Sequence, residues 1–219
     1  MRRLIIAIDG PSGAGKGTVA RAVAAALGYR HVDSGAMYRA VGWKALRDGL
    51  PLENEDAIAG LARASRIEVT DALVTIDGED VTRAIRTPDV DRAAASVARL
   101  PKVRAILVDR QRDIGADGAI VMEGRDIGTV VFPDADVKLY LDATPEERAR
   151  RRASDPAHSG PTAVAEVASA LTARDELDRT RAVSPLYAAK DAVLVDTTGK
   201  PVAAVVDEVM RVIRGKTEK

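Results

Sequence analysis

Residues 10–18 read Gly-Pro-Ser-Gly-Ala-Gly-Lys-Gly-Thr. A loop this rich in glycine can turn successive backbone N–H groups onto one anion, and Lys16 adds a full positive charge, so the chemistry on offer is phosphate binding. The usual pattern, G-x-x-x-x-G-K-[ST], is met at Gly10, Gly15 and Lys16 and broken at the next position. Gly17 stands where a hydroxyl is expected, and the hydroxyl of Thr18 comes one residue late. The stretch is then a damaged site, a chance glycine-rich turn, or a variant suited to one use of the phosphate.

Further reactive residues gather downstream. Residues 122–135, MEGRDIGTVVFPDA, set Glu123, Arg125 and Asp126 directly after an apolar run. Charges at the end of a buried strand need partners, which a ligand site or a structural ion cluster would both provide. Residues 174–187 supply Arg174, Asp178 and Arg181, and EERARRR at 146–152 supplies four arginines. An acidic start and a basic end suit the helix macrodipole, but that accounts for one or two arginines better than for four. Guanidinium can fork onto phosphate oxygens in two bonds. In DSGAMYR, residues 33–39, Ser34 can cap a helix that carries Arg39 on its first turns.

The elements that must position these groups are legible as alternating short apolar runs and helical patterns. Strands are expected at 4–8, 29–32, 119–122, 137–141 and 192–195, and helices at 17–27, 36–47, 101–114, 145–152, 164–174 and 201–213. Thr144 can cap the helix that opens at Pro145, and Pro201 suits a first turn. The class is α/β, a doubly wound parallel sheet covered on both faces. The glycine loop then follows a strand and opens a helix, the context its motif requires, which disfavours the chance turn. Residues 66–81 alternate β-branched residues around turn signals and predict an antiparallel insert of two or three strands, either decoration or a clamp over a second substrate. Residues 154–162, SDPAHSGPT, predict a loop or the tip of a moving lid. His31 and His158 read as a strand-end and a loop residue.

Composition narrows the partners. Lysine plus arginine equals aspartate plus glutamate, 33 each, so net charge gives no reason to expect nucleic acid or an anionic membrane. There is no cysteine, which excludes disulfides, thiolate metal sites and a cysteine nucleophile. The apolar run after Arg3 stops at Asp9, too short for an export signal, and no run approaches bilayer length. A soluble, cytoplasmic protein is expected, and a monomer.

The loop resembles that of the nucleoside monophosphate kinases. IDGPSGAGKGT, DSGAMYR, GEDVTRAIRT, LPKVR, GRDIGTVVFPDA, LDATPEERARRR and DRTRAVSPL together resemble the bacterial cytidylate kinase family over essentially the whole chain. The resemblance implies a P-loop NTPase fold with a five-stranded parallel sheet flanked by helices. It implies a core at 1–60, 101–145 and 180–219, a nucleoside-monophosphate-binding β insert at 61–100 and a short helical lid at 146–179. The implied reaction moves the γ-phosphoryl group of ATP, with Mg2+, to CMP or dCMP.

Carried onto this chain, the resemblance gives the ATP phosphates to Gly10, Ser12, Gly13, Ala14, Gly15, Lys16, Gly17 and Thr18. It gives CMP phosphate and sugar to Ser34, Arg39, Arg125 and Arg181, ribose hydroxyls to Asp178, and cytosine to Arg104 and Asp126, with Tyr38 and Arg174 also in the CMP site. Arg148 and Arg151 would reach the transferring group from the lid, with Lys16, Arg125 and Arg181 also catalytic. Thr18 and Glu123 would face the magnesium ion through water. The chain departs from relatives at Glu123, often aspartate there, at Leu177, which can be arginine, and at Ala95, where a base-contacting serine is expected. Ser96 is the substitute, about 100° further round a helix of ~3.6 residues per turn. Another small-acceptor kinase, for uridylate or shikimate, is the rival enzyme. A guanine switch would need an N-K-x-D segment, which the chain lacks.

Overall fold

The first apolar run forms β1 (Ile5–Asp9), the central strand of the computed structural model, which describes residues 3–155 and 164–217. Helix α1 (Lys16–Leu27) follows the glycine loop, then β2 (Arg30–Asp33), α2 (Ser34–Arg47) and α3 (Glu55–Ala64). A small sheet comes next, β3 (Ile67–Val69), β4 (Val74–Ile76) and β5 (Glu79–Asp80), then α4 (Pro88–Val97) and α5 (Pro101–Gly115). Strand β6 (Ile120–Gly124), a π-helical turn (Ile127–Val131) and β7 (Val137–Asp142) lead to α6 (Pro145–Ala153). Helix α7 (Val164–Thr180), β8 (Val193–Asp196) and α8 (Val202–Thr217) complete the order.

All five expected strands join one parallel sheet in the order β2-β6-β1-β7-β8. Alternation divides their side chains between two cores, as a parallel sheet covered on both faces requires. Ile6 and Ile8 pack with Val19 and Val23 of α1 and Val205 and Val209 of α8. Ala7 turns the other way, into a cluster with Val108 of α5, Met122 and Ile127. From β1 the chain runs to β2 and β6 on one side and to β7 and β8 on the other. The carboxyl end of β1 is thus the crevice where open α/β sheets bind ligands.

The residue 66–81 segment forms the expected antiparallel sheet, three strands in the order β3-β4-β5. Of the two helices beside it, α3 was not expected and α4 entered only as the helix carrying Ala95 and Ser96, although both carry start signals. Asn54 caps α3 by accepting from Ala57 N, and Thr87 caps α4 by accepting from Val90 N ahead of Pro88. Helix α7 runs on to Thr180, past the expected end at 174, which puts Arg174 and Asp178 one turn apart on it. The cap of α2 is Asp33, not Ser34: β2 remains extended through Asp33, whose carboxylate accepts from Ala36 N. His158 and residues 156–162 of the predicted lid tip lie outside the described residues. No helix among the described residues is long and apolar enough to cross a membrane.

Asp9 and Gly10, at the end of β1, lock the neighbouring segments to the central strand. Asp9 is buried, and its carboxylate accepts from Ile127 N (2.8 Å) and Gly128 N (2.7 Å), anchoring the π-helical turn. Burial pushes its pKa up to about 6, against the pull of those amides. Gly10 has φ +146°, and a Cβ there would lie 2.0 Å from the Leu141 carbonyl oxygen of β7. Backbone thus passes backbone where no side chain fits. Gly10→Ala should cost about 2–4 kcal/mol from strain and overpacking together. Urea unfolding of the two proteins checks this, and a loss below about 1 kcal/mol would contradict it.

Candidate active site

The carboxyl ends of β1, β2 and β6 open into a cleft of about 1140 Å³, closed in by residues of α4, α6 and α7. Among the described residues, thirteen lysines and arginines line it against six aspartates and glutamates. The whole chain is neutral, so this surplus is local. Low-dielectric walls bearing one sign of charge concentrate ligands of the opposite sign.

Residues 12–18 form one wall and lead into the amino end of α1. Lys16 is buried there, its Nζ donating to Pro11 O at 2.8 Å. Burial, then the nearby Arg125 charge, lowers its pKa to about 7. The loop is braced from behind. Thr197, just past β8, has Oγ1 3.1 Å from Ala14 O and 3.0 Å from Asp142 O. Arg148 donates to Ser12 O and Ala143 O, both at 3.1 Å, and forms a buried pair with Asp175.

The facing wall is built on β6. Arg104 and Asp126 form a buried ion pair, with the Arg104 guanidinium 5.5 Å from the Tyr38 ring centroid. Arg181 lies 3.8 Å from Asp126 and 3.7 Å from Asp178, and Arg125 Nε donates to Asp178 at 3.0 Å. Burial works to raise the Asp178 pKa, but Arg125, Arg174 and Arg181 outweigh it and hold the carboxyl below its ordinary value. Tyr38 Oη, Arg104 Nε and Arg181 Nη2 are buried without a hydrogen-bond partner among the described residues. Unmet buried donors are costly, so this corner is shaped for a polar ligand.

Glu123 stands between the walls. Its Oε1 is 3.1 Å from His31 Nε2, and Ser34 Oγ donates to its backbone carbonyl at 2.7 Å. His31 is buried, with Nδ1 2.9 Å from Asp71. Burial opposes protonation of His31, but Glu123, Asp33 and Asp71 prevail and raise its pKa. A Cβ on Gly17 would approach Glu123 Oε1 to 2.9 Å. No three acidic or histidine side chains among the described residues are grouped to hold a metal on their own. The Thr18 hydroxyl and Glu123 carboxylate, both on the cleft, are hard oxygen donors suited to a magnesium ion that arrives with phosphates and keeps most of its water.

Most of the expected site residues meet in this cleft. Ser34, Tyr38, Arg39, Arg104, Arg125 and Asp126 line it, as do Arg151, Arg174, Asp178 and Arg181. Three do not. Gly10 packs on β7, and Arg148 is spent on Ser12 O, Ala143 O and Asp175, although it lies within one turn of Arg151 on α6. Ser96 turns its hydroxyl back to Arg92 O at 3.2 Å, while Ala95 takes the place on the cleft wall. Asp9, His31, Asp91 and Thr197 shape the site as well and were not expected there, and Arg152, singled out only as one of the four arginines at 146–152, joins them. Only Asp9 and Thr197, polar residues closing apolar strands, carry a local sign of their place.

A family model described as cytidylate kinase matches residues 6–215. A cytidylate kinase from Desulfitobacterium hafniense (strain Y51) is 48% identical over 99% of this chain and 95% of its own length. One from Solibacter usitatus (strain Ellin6076) is 45% identical over 98% and 94%. Among solved structures, a gluconokinase from Sinorhizobium meliloti 1021 superposes with a TM-score of 0.54 at 17% identity, over 99% of this chain and 96% of that one, a likeness of fold alone.

Arg148 and Arg151 of α6 separate by experiment. Arg148→Met leaves Asp175 buried and uncompensated and should cost about 3–5 kcal/mol in urea unfolding. Arg151→Ala gives up hydrogen bonds to Glu147 Oε1 (2.8 Å), Thr197 Oγ1 (2.9 Å) and Thr197 O (2.6 Å) at a partly exposed site. It should cost about 1–2 kcal/mol while lowering turnover roughly 100-fold. Equal stability losses would refute the division of labour.

Proposed function

The chain belongs to the cytidylate kinase family, and from that premise we propose how its cleft works. The enzyme transfers the γ-phosphoryl group of ATP to CMP, giving CDP and ADP, with dCMP as a second acceptor. The observation that carries the reading is the pairing of two walls across one cleft: an anion-binding loop with Lys16 on one side, and on the other a polar corner holding unpaired donors.

In this reading residues 12–18 hold the ATP phosphates on backbone N–H groups and on Lys16. Arg104 and Asp126 offer cytosine one donor set and one acceptor set. A site built to hydrogen-bond one base edge leaves its own polar groups unpaired with another base, and so discriminates strongly. Asp178 takes the ribose hydroxyls, and Ser34, Arg39, Arg125, Arg174 and Arg181 take the acceptor phosphate. Residues 61–100 act as the acceptor-binding insert and 146–179 as the lid. Bound with ATP beside Thr18 and Glu123, Mg2+ would offset phosphate charge. A cytoplasmic monomer suffices for all of this.

An acceptor oxygen attacks the γ-phosphorus as the bond from that phosphorus to the bridging oxygen of ADP breaks. A phosphate monoester has its second pKa near about 6, so the attacking oxygen is already unprotonated at neutral pH and no side chain need remove a proton. The protein's work is alignment and charge: Arg125, Arg151 and Arg181 meet the negative charge on the transferring group, and closure keeps water out.

The decisive test is ADP release with AMP, GMP, UMP, CMP and dCMP offered separately. CMP and dCMP should be preferred, and preference for a purine monophosphate would reject the reading. Lys16 supplies a second. Its pKa of about 7 in the empty cleft must rise when a triphosphate arrives, so ATP binding takes up a proton above pH 7 and weakens as pH climbs. Calorimetry at about pH 8 in buffers of different ionisation enthalpy should register that uptake, and identical heats in all buffers would count against it.

A further inference from the structure

Three guanidinium groups from three helices converge on one carboxylate. Arg39 Nε of α2 donates to Asp91 Oδ1 at 3.0 Å, and Arg174 Nη1 of α7 donates to the same oxygen at 3.2 Å. Arg152 Nη2 of α6 donates to Oδ2. All four side chains are largely shielded from solvent, with relative exposures of 9% for Arg39, 16% for Arg152 and Asp91 and 18% for Arg174. Asp91 belongs to α4, so it ties the insert side of the cleft to α6 and α7 across the opening.

The arginines line the cleft; at Arg39 burial is outweighed by Asp33 and Asp91, which raise its pKa, whereas Arg152 and Arg174 remain short of negative charge. Arg39 has a second anion in Asp33 at 3.6 Å, and Arg152 has Asp155 at 4.0 Å. Even so, burial lowers the Arg152 pKa to about 10 in spite of Asp91, and burial followed by the charges of Arg39 and Arg125 lowers that of Arg174. A carboxylate offers two oxygens and one charge. A phosphate monoester offers three oxygens and about −1.5 to −2, and is the better partner for a triad of guanidinium groups.

We infer that Asp91 is a built-in competitor for the acceptor's phosphate: it occupies Arg39, Arg152 and Arg174 in the empty enzyme and must yield them when a nucleoside monophosphate binds. The inference rests on the proposed assignment of Arg39 and Arg174 to the acceptor phosphate and adds what sets the affinity there. Asp91 touches no reacting atom. It acts through the arginines, holding the cleft together when empty and weakening acceptor binding by the work of its release.

Competitor and simple brace predict opposite effects. If Asp91 merely aimed the arginines, removing its charge would weaken acceptor binding. As a competitor, its removal frees them and leaves their mutual repulsion for the ligand to relieve. Asp91→Asn and Asp91→Ala should therefore lower the KM for CMP about tenfold, a gain of about 1.4 kcal/mol, with the KM for ATP nearly constant. Inorganic phosphate, as a bare probe in calorimetry, should bind both variants more tightly than the parent. Both should unfold at lower temperature when empty and regain the difference in saturating CMP. An unchanged or raised KM for CMP in both variants, with normal turnover in the parent, overturns the inference alone. A parent that fails to phosphorylate CMP overturns the functional reading and the inference with it. Should neither variant fold, a crystal structure of the parent with CMP decides: Asp91 parted from Arg39 and Arg174 supports competition, and all three contacts intact refute it.

Discussion

Like charges crowded into a shielded cleft must be held apart, and that electrostatic constraint governs the rest of the molecule. Each cation turned inward costs more as water is excluded, because desolvation disfavours the charged form. The protein answers by threading single carboxylates between the arginines. Asp126 sits between Arg104 and Arg181, Asp178 between Arg125 and Arg181, and Asp91 among three. None of these acids neutralises its neighbourhood in full. The remaining positive field is what a bound nucleotide completes, and it is why a chain of zero net charge can still be a strong anion binder.

A second set of buried charges is tied to the backbone and holds the frame. Arg148 and Asp175 neutralise one another under the loop, and the same guanidinium satisfies two backbone carbonyls. Asp9 spends both carboxylate oxygens on amides of the segment after Asp126. Preorganised dipoles stabilise transferring charge only if they do not have to reorient when it appears. The rigid set supplies that fixity, so the facing arginines can remain under-neutralised without the loop shifting towards them.

The sheet was legible in the sequence because strands of a covered parallel sheet read as short apolar runs: four such runs became strands, and the shorter segment expected at 29–32 became the edge strand β2. Helix starts were less completely legible: Asn54 and Thr87 are cap residues in the expected places, yet α3 and α4 flank a segment whose strand and turn signals are stronger. Within the site, residue type was readable and direction was not. EERARRR says that arginines are wanted. A turn of about 100° per residue, on a helix whose orientation is unknown, cannot say that Arg148 points under the loop and Arg151 and Arg152 into the cleft. Ser96 and Ala95 differ by the same step. Asp91 and His31 had no local signature at all, since Asp91 lies 52 positions from Arg39 along the chain and His31 lies 92 from Glu123.

The space left by Gly17 in the glycine loop is used by the opposite wall. With no side chain at Gly17, the Glu123 carboxylate can stand against the first turn of α1, where a Cβ would come within 2.9 Å of Oε1. His31 holds that carboxylate from the far side, and Asp71 holds His31. A serine or threonine at 17 would claim the same space and push Glu123 off its imidazole. Moving the hydroxyl to Thr18 keeps it on the cleft and leaves the space to the acid. The glycine at 17 thus leaves room for the glutamate at 123, whose longer side chain bridges from β6 to both the histidine and the helix end.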